Sequence, residues 1–157
     1  MEEWTVHPIG FVRSPRDQAV DDDWGEIDAT IELVAAYGAE SIRGLDQFTH
    51  IEVIFLFDRV PEEKVEYGAR RPRGRADWPL VGIFAQRGRN RPNRLGLCTC
   101  RIVGVDVLAV EVEGLDAIDG TPVLDLKPVM RGFLPRGEIR EPAWATEIMA
   151  QYWQAGP

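Results

Sequence analysis

The chain has 157 residues, 45% of them hydrophobic and 28% charged, with a net charge of −8; that is enough for one core and short for two domains. No apolar run approaches the roughly 20 residues of a membrane helix, and the opening MEEWTVHPIG has no signal-peptide core, so the expected compartment is the cytoplasm. Two cysteines, Cys98 and Cys100, are too few for a disulfide framework or a four-ligand zinc site and are expected as small buried residues on one face of a strand.

In chain order, Thr5 to Val12 predicts a first strand, with Pro8 placing it at an edge or a bulge. An acidic turn, Asp21 to Asp23, precedes Trp24-Gly25. Ile27 to Leu33 alternates apolar and polar residues, the pattern of a half-buried strand. Ala35 to Ile42 predicts a short helix stopped by Gly44. Ile51 to Phe57 is almost continuously apolar and predicts a strand covered on both faces, with His50 ahead of it as a core histidine. Residues 61–79 carry three prolines and no periodicity; loops beyond about 12–15 residues tend to be functional. Val81 to Ala85 predicts another strand. Leu97 to Val103 and Val107 to Val112 predict a hairpin turning at Gly104 to Asp106, and Val123 to Leu126 a short final strand after the Asp119-Gly120 turn. Glu141-Pro142 opens a C-terminal helix whose one face gathers Trp144, Ile148 and Tyr152. Short strands with frequent turns and few helices predict a mainly β fold, a single antiparallel sheet closed into a barrel. Residues 1–140 form that domain and 141–157 a helix packing on the barrel or on a partner subunit. No Gly-x-Gly-x-x-Gly follows a strand, which disfavours a doubly wound nucleotide-binding sheet.

Charge is unevenly placed. Lys64 to Arg94 holds nine of the 18 basic residues and only Glu66 and Asp77 as acids, a local excess of +7 on an otherwise acidic chain. Within it, Gly82 to Leu97 (GIFAQRGRNRPNRLGL) passes from apolar sequence into Arg87, Arg89, Arg91 and Arg94, interleaved with Gly, Asn and Pro. Planar cations on such a loop suit phosphates, carboxylates and flat rings. Three polar clusters end apolar strands, at Asp58-Arg59, Arg87 to Asn93 and Asp125 to Pro128; at one barrel rim they would suit a zwitterionic ligand with a ring.

Five motifs, in order, carry a resemblance. They are Pro8-Ile9-Gly10 through Arg13-Ser14-Pro15, Arg43 to His50, Gly82 to Arg87, Arg91-Pro92-Asn93 with Leu95-Gly96, and Leu115-Asp116 through Asp119 to Pro128. Together they resemble the TrmO (TsaA-like, YaeB-like) family over about residues 5–135. The resemblance implies a barrel that binds S-adenosylmethionine without a Rossmann sheet, works as a homodimer and methylates N6 of N6-threonylcarbamoyladenosine at position 37 of tRNA. The alternatives are the same cofactor chemistry on a small-molecule acceptor, or a non-catalytic ligand- or RNA-binding barrel. Family cofactor contacts carry over to Asp58, Arg59, Arg87, Leu97 and Asp125, Leu126, Lys127 and Pro128. An acylated N6 is a poor nucleophile, so a proton acceptor helps; Asp125 is the first candidate, as base or as cofactor-orienting carboxylate, with Tyr37 and then Asp58 behind it. Arg70, Arg71, Arg73, Arg75, Arg89, Arg91 and Arg94 are the expected tRNA-facing residues, with bonds to loop carbonyls as the other reading of Arg91. Where relatives have Ala-Thr-Arg-Ser this chain has Ala85-Gln86-Arg87-Gly88, and Arg94 stands in place of the usual proline.

Overall fold

The computed structural model describes residues 1–155. Its strands are β1 (Gly10–Arg13), β2 (Asp28–Leu33), β3 (His50–Leu56), β4 (Ala69–Arg70), β5 (Val81–Gly82), β6 (Leu95–Asp106), β7 (Ala109–Glu113) and β8 (Pro122–Pro128). Six of them close an antiparallel barrel in the order β1-β2-β7-β6-β3-β8. Period-two alternation sets the interior. Val12, Ile31, Ile51, Val53, Phe55, Val110, Val112 and Val123 point inward, joined by Leu115, and are fully buried. Cys98 and Cys100 on β6 face this core opposite Val53 and Ile51, as free thiols. Gly96 lies opposite Phe55, and a Cβ there would come within 2.8 Å of three carbons of that ring, so only glycine fits.

The structure moves several expected elements. The first strand begins at Gly10, because Pro8 has no N–H to give the ladder; Ile9 extends the pairing backwards by one residue, its N–H donating to the Val123 carbonyl and its carbonyl accepting the Val34 N–H. Residues 35–42 form two 3-10 turns, Ala35–Tyr37 and Ala39–Ile42, separated by Gly38 at φ +67°. β3 is buried on one face only; Glu52, Ile54 and Leu56 look outward and are half-buried, because a closed barrel has one interior. His50 is the outward-facing first residue of β3, exposed and 2.8 Å from the Thr49 hydroxyl at Nδ1, and is not a core residue. The β6–β7 turn falls at Val107-Leu108, with Leu108 left-handed at φ +57°, since a bulge between Ile102 and Gly104 carries β6 on to Asp106.

Val81 to Ala85 is not a barrel strand. Val81-Gly82 pairs with Ala69-Arg70 in a separate two-stranded ribbon, and Ile83–Ala85 turns into 3-10 geometry. The 61–79 segment is ordered around this ribbon and a turn in which Pro72 and Trp78 are buried. The terminal helix α1 (Ala143–Ile148) is short, and the chain beyond it docks by main-chain bonds from Asp23 and Trp24 N–H to the Gln151 and Tyr152 carbonyls. A Cβ on Gly25 would overlap the Trp153 carbonyl, so this approach also requires glycine. Residues 156 and 157 of the expected C-terminal helix lie outside the described residues.

Candidate functional site

Strand register brings distant residues of the sequence onto one outer surface. Across β6, β3 and β8 the outward row is Leu97, Ile54, Asp125, and the next row is Thr99, Glu52, Lys127. Neighbouring strands are about 4.8 Å apart, so Leu97 and Asp125 stand about 10 Å from each other. Arg87 reaches the same surface and donates from Nη2 to the Leu97 carbonyl at 2.7 Å; its side chain is otherwise exposed. The Asp125 carboxylate accepts the Leu126 N–H at 2.9 Å on Oδ1 and the Lys127 ammonium at 2.7 Å on Oδ2, and that bond pushes the lysine pKa up.

Beside Asp125 the barrel wall opens. β8 pairs with β1 only at Pro122 and Val123, and the gap beyond is roofed by residues 35–48. The result is a cavity of about 380 Å³ lined by Ile9, Leu33, Ile42 and Phe48 on its apolar side and by Tyr37, Arg43 and Asp125 among its polar groups. Tyr37 and Asp125, the two leading candidates for proton acceptor, thus line one cavity although 88 residues separate them in sequence. A larger groove of about 530 Å³ lies on the opposite wall, between Arg13, Asp28, Thr30, Glu111 and Asp119. Its one cation, Arg13, is already paired with Glu32 at 2.8 Å, so an acidic groove remains that suits an anionic ligand poorly.

Asp58 and Arg59 do not join this cavity. They continue β3 four residues past Ile54, where Arg59 donates to the Asp17 and Asp119 carbonyls at 2.9 Å each and ties two loops together.

The basic segment divides into engaged and open arginines. Arg71 bonds the Trp78 carbonyl, Arg91 the Gln86 carbonyl at 2.9 Å and Arg94 the Val60 carbonyl at 2.8 Å, so for Arg91 the carbonyl-bonding alternative is what the geometry shows. Arg73 grips Asp22 with both terminal nitrogens at 3.0 and 2.8 Å, which with Asp21 raises its pKa; Arg75 pairs with Asp77 and stacks on the Trp78 ring at 4.0 Å. Among the described residues, Arg70 and Arg89 have no side-chain hydrogen bond to protein. Asn93 and Arg94 are consecutive left-handed residues, at φ +62° and +53°. Proline is fixed near φ −65°, so the arginine at 94 goes with a different turn, one in which its carbonyl accepts the Phe57 N–H at 2.8 Å.

Three supports escaped the sequence reading. Gln86 is 93% buried, and its amide donates to the Arg70 and Val81 carbonyls at 3.0 and 2.9 Å, tying the β4–β5 ribbon to the arginine loop. Trp78 donates from Nε1 to Glu147 at 2.6 Å, fixing the 72–78 turn to α1. Tyr152 donates to Asp116 Oδ2 at 2.5 Å; burial first, then the Asp116 charge, pushes the phenol pKa well up, and burial holds both cysteine thiols in their neutral form. Leu115-Asp116 was visible as a motif, but nothing in sequence spacing links Asp116 to a tyrosine near the end of the chain.

Fold and surface together define a small antiparallel barrel with a ligand-sized cavity in its wall and a basic loop beside it. The sequence model of the tRNA-methyltransferase O N-terminal domain matches residues 13–133, and the chain belongs to that family. It is 32% identical over 169 aligned positions to the Escherichia coli tRNA (adenine(37)-N6)-methyltransferase, covering 100% of this chain and 67% of that protein. It is 31% identical over 125 positions to an S-adenosyl-L-methionine-binding protein of Archaeoglobus fulgidus, covering 78% of this chain and 86% of the relative. The crystal structure of TrmO from Pseudomonas aeruginosa superposes with a TM-score of 0.72 at 27% identity, over 88% of this chain and 62% of that one. The chain spans 56% and 57% of the length of two curated Pseudomonas aeruginosa relatives that it matches.

Proposed function

We propose that the chain is an S-adenosylmethionine-dependent methyltransferase acting on N6 of a tRNA adenine, with N6 of N6-threonylcarbamoyladenosine at position 37 as the acceptor. The observation that carries this reading is the convergence of Tyr37, Asp125, Leu126 and Pro128 on one cavity, beside the surface that holds Leu97 and Arg87. Family membership and the printed names of the relatives support the cofactor and the acceptor class.

The residues fit the cofactor. A cavity of about 380 Å³ is within the usual range for a small-molecule site, and it combines apolar walls with a carboxylate. Bound there, S-adenosylmethionine would supply a methyl group already activated on a sulfonium. The chain's task is then alignment and exclusion of water. In this proposal Leu97, Leu126 and Pro128 give apolar contact, Lys127 fixes the Asp125 carboxylate, and Arg87 turns its open N–H groups to a carboxylate of the cofactor. Asp125 accepts the proton that leaves the acylated nitrogen, with Tyr37 as second candidate. Asp58 and Arg59 enter only as the far rim of the face.

The basic segment is the proposed tRNA side. Arg70 and Arg89 make direct phosphate contacts, while Arg71, Arg73, Arg75, Arg91 and Arg94 shape the loop and add positive potential. We place the reaction in the cytoplasm, with the tRNA; no helix among the described residues is long and apolar enough to cross a membrane. A homodimer is supported by Met130, Phe133, Leu134 and Ile139, large exposed apolar side chains on the segment that follows the cavity wall; we take residues 1–140 as the barrel unit and 141–157 as its C-terminal support.

Titration calorimetry with S-adenosylmethionine tests the cofactor, and absence of binding by folded protein would refute the proposal. Mass spectrometry of tRNA nucleosides from a deletion strain tests the acceptor. Loss of methylated threonylcarbamoyladenosine, restored with the gene, is expected; an unchanged level assigns the chemistry to another acceptor.

A further inference from the structure

The basic segment carries two large aromatic rings that the proposed reaction leaves without a role. Phe84 is 76% exposed and Tyr67 75% exposed. Singly exposed rings are ordinary on a protein surface, but two brought together beside a basic loop form a candidate contact surface.

Their placement is defined by the backbone. β4 and β5 pair Arg70 with Val81 and Ala69 with Gly82, and the Ile83 N–H continues the ribbon to the Gly68 carbonyl at 2.9 Å. Residues 67 and 84 therefore come to the same end of the ribbon. The Glu66 N–H bonds the Asn90 carbonyl at 3.0 Å, which draws the arginine loop to that same end. Arg70 lies against Gly88, where a Cβ would meet its guanidinium at 2.6 Å, and its Nε is buried with no partner among the described residues. Arg89 next along the loop is exposed and has no side-chain hydrogen bond among the described residues. Gln86 holds the scaffold from beneath through the Arg70 and Val81 carbonyls.

We infer that Phe84 and Tyr67 form a stacking platform for an unpaired base of the RNA acceptor, with Arg70 and Arg89 holding the flanking phosphates. The inference rests on the tRNA reading above and adds to it a pair of base contacts. The charge setting favours RNA over a second copy of this chain. From Glu62 to Arg94 the chain carries nine basic side chains against four acidic ones, Glu62, Glu63, Glu66 and Asp77, and such a patch repels the same patch of a second copy and attracts a polyanion. Rings beside cations are also how single-stranded nucleic acid is held, because every base presents a π-face while a duplex hides its own.

The test compares an RNA hairpin with an unpaired loop against a fully paired duplex of equal length. Phe84→Ala and Tyr67→Ala should each weaken hairpin binding at least about fivefold, the lower end of losing one base-on-ring stack, with little change for the duplex. Phe84→Trp should keep the affinity and Phe84→Leu should lose it, which separates a flat ring from a merely apolar side chain. Unchanged hairpin affinity in both alanine variants, while Arg89→Ala weakens it, overturns the platform and leaves the tRNA reading standing. A wild-type chain that binds S-adenosylmethionine but neither RNA overturns both. Two further results overturn the inference: a change of sedimentation state in Phe84→Ala makes the rings a subunit interface, and loss of S-adenosylmethionine affinity with normal RNA binding assigns them to the cofactor.

Discussion

Replacing Tyr152 with phenylalanine removes one oxygen and tests the contact that joins the C-terminal segment to the barrel. The phenol donates to Asp116 Oδ2 at 2.5 Å, while Asp116 Oδ1 is buried with no partner among the described residues. A hydrogen bond to a charged acceptor contributes about 1.5–3 kcal/mol, and here the carboxylate would lose its tyrosine donor, so a loss of about 2 kcal/mol is expected at neutral pH. For a domain of this size that lowers Tm by roughly 4–8 °C. The pH dependence separates this account from simple loss of packing. Burial and the Asp116 charge raise the phenol pKa in the folded chain above the usual 10.0. Its contribution to stability is therefore complete below pH 10 and declines above it, as the unfolded chain ionises first, by about 1.4 kcal/mol per pH unit. Phenylalanine does not titrate. The gap between wild type and variant should thus narrow above pH 10 and close near pH 11.5, at about 1.4 kcal/mol per unit. Cys98 and Cys100, raised in the same direction by burial, are present in both proteins. Urea unfolding followed by fluorescence of Trp24 and Trp78, both buried, measures the gap. A gap that stays constant from pH 8 to about 11.5 would refute the reasoning, as would none at neutral pH.

Gly96→Ala should destabilise by about 1–3 kcal/mol or more, because the new methyl meets the immobile Phe55 ring, whereas Gly104→Ala, which meets the flexible end of Glu111, should cost much less in the same urea titration. Arg87→Ala should lower S-adenosylmethionine affinity about tenfold or more by calorimetry, while Arg89→Ala leaves it intact and reduces the salt dependence of RNA binding by about one phosphate contact. Equal effects of the two on cofactor affinity would overturn that division. Trp78→Phe, which deprives Glu147 of its indole donor, should speed proteolytic cleavage within residues 61–79 and leave amide exchange of the barrel strands unchanged.

What the sequence made legible follows the physics of each element. Residues 28–33 alternate cleanly because one face is core and the other solvent, so strand and orientation could both be read. Ile51 to Phe57 misled on burial because half-buried Ile54 and Leu56 on the outer wall are as apolar as Val53 and Phe55 inside. Val81 to Ala85 has strand composition, yet its partner is a two-residue stretch 12 positions back, a pairing that composition cannot encode. His50 illustrates the converse, since the first residue of a core strand takes its environment from register and not from its neighbours. For the site, the family motifs named Asp125 to Pro128, but the cavity that joins Asp125 to Tyr37 exists only because β8 leaves β1 after Val123.

The arginine loop shows why a charge count and a contact count answer different questions. A segment with little ladder pairing leaves carbonyls without donors, and buried carbonyls require them. Arg71, Arg87, Arg91 and Arg94 supply donors to Trp78, Leu97, Gln86 and Val60, a role lysine would fill poorly without the planar fork. Their bonds are to neutral oxygens, so each keeps its full charge. Among the described residues, Arg73 and Arg75 are the arginines of the segment met by carboxylates, from Asp22 and Asp77. The loop can thus be rigid and still strongly positive, and the same side chains that build it attract a polyanion from a distance. Under the proposed RNA reading, direct contact falls to the guanidiniums that have no side-chain hydrogen bond among the described residues, those of Arg70 and Arg89. That proposal therefore assigns attraction to most of the segment and recognition to one end of the β4–β5 ribbon.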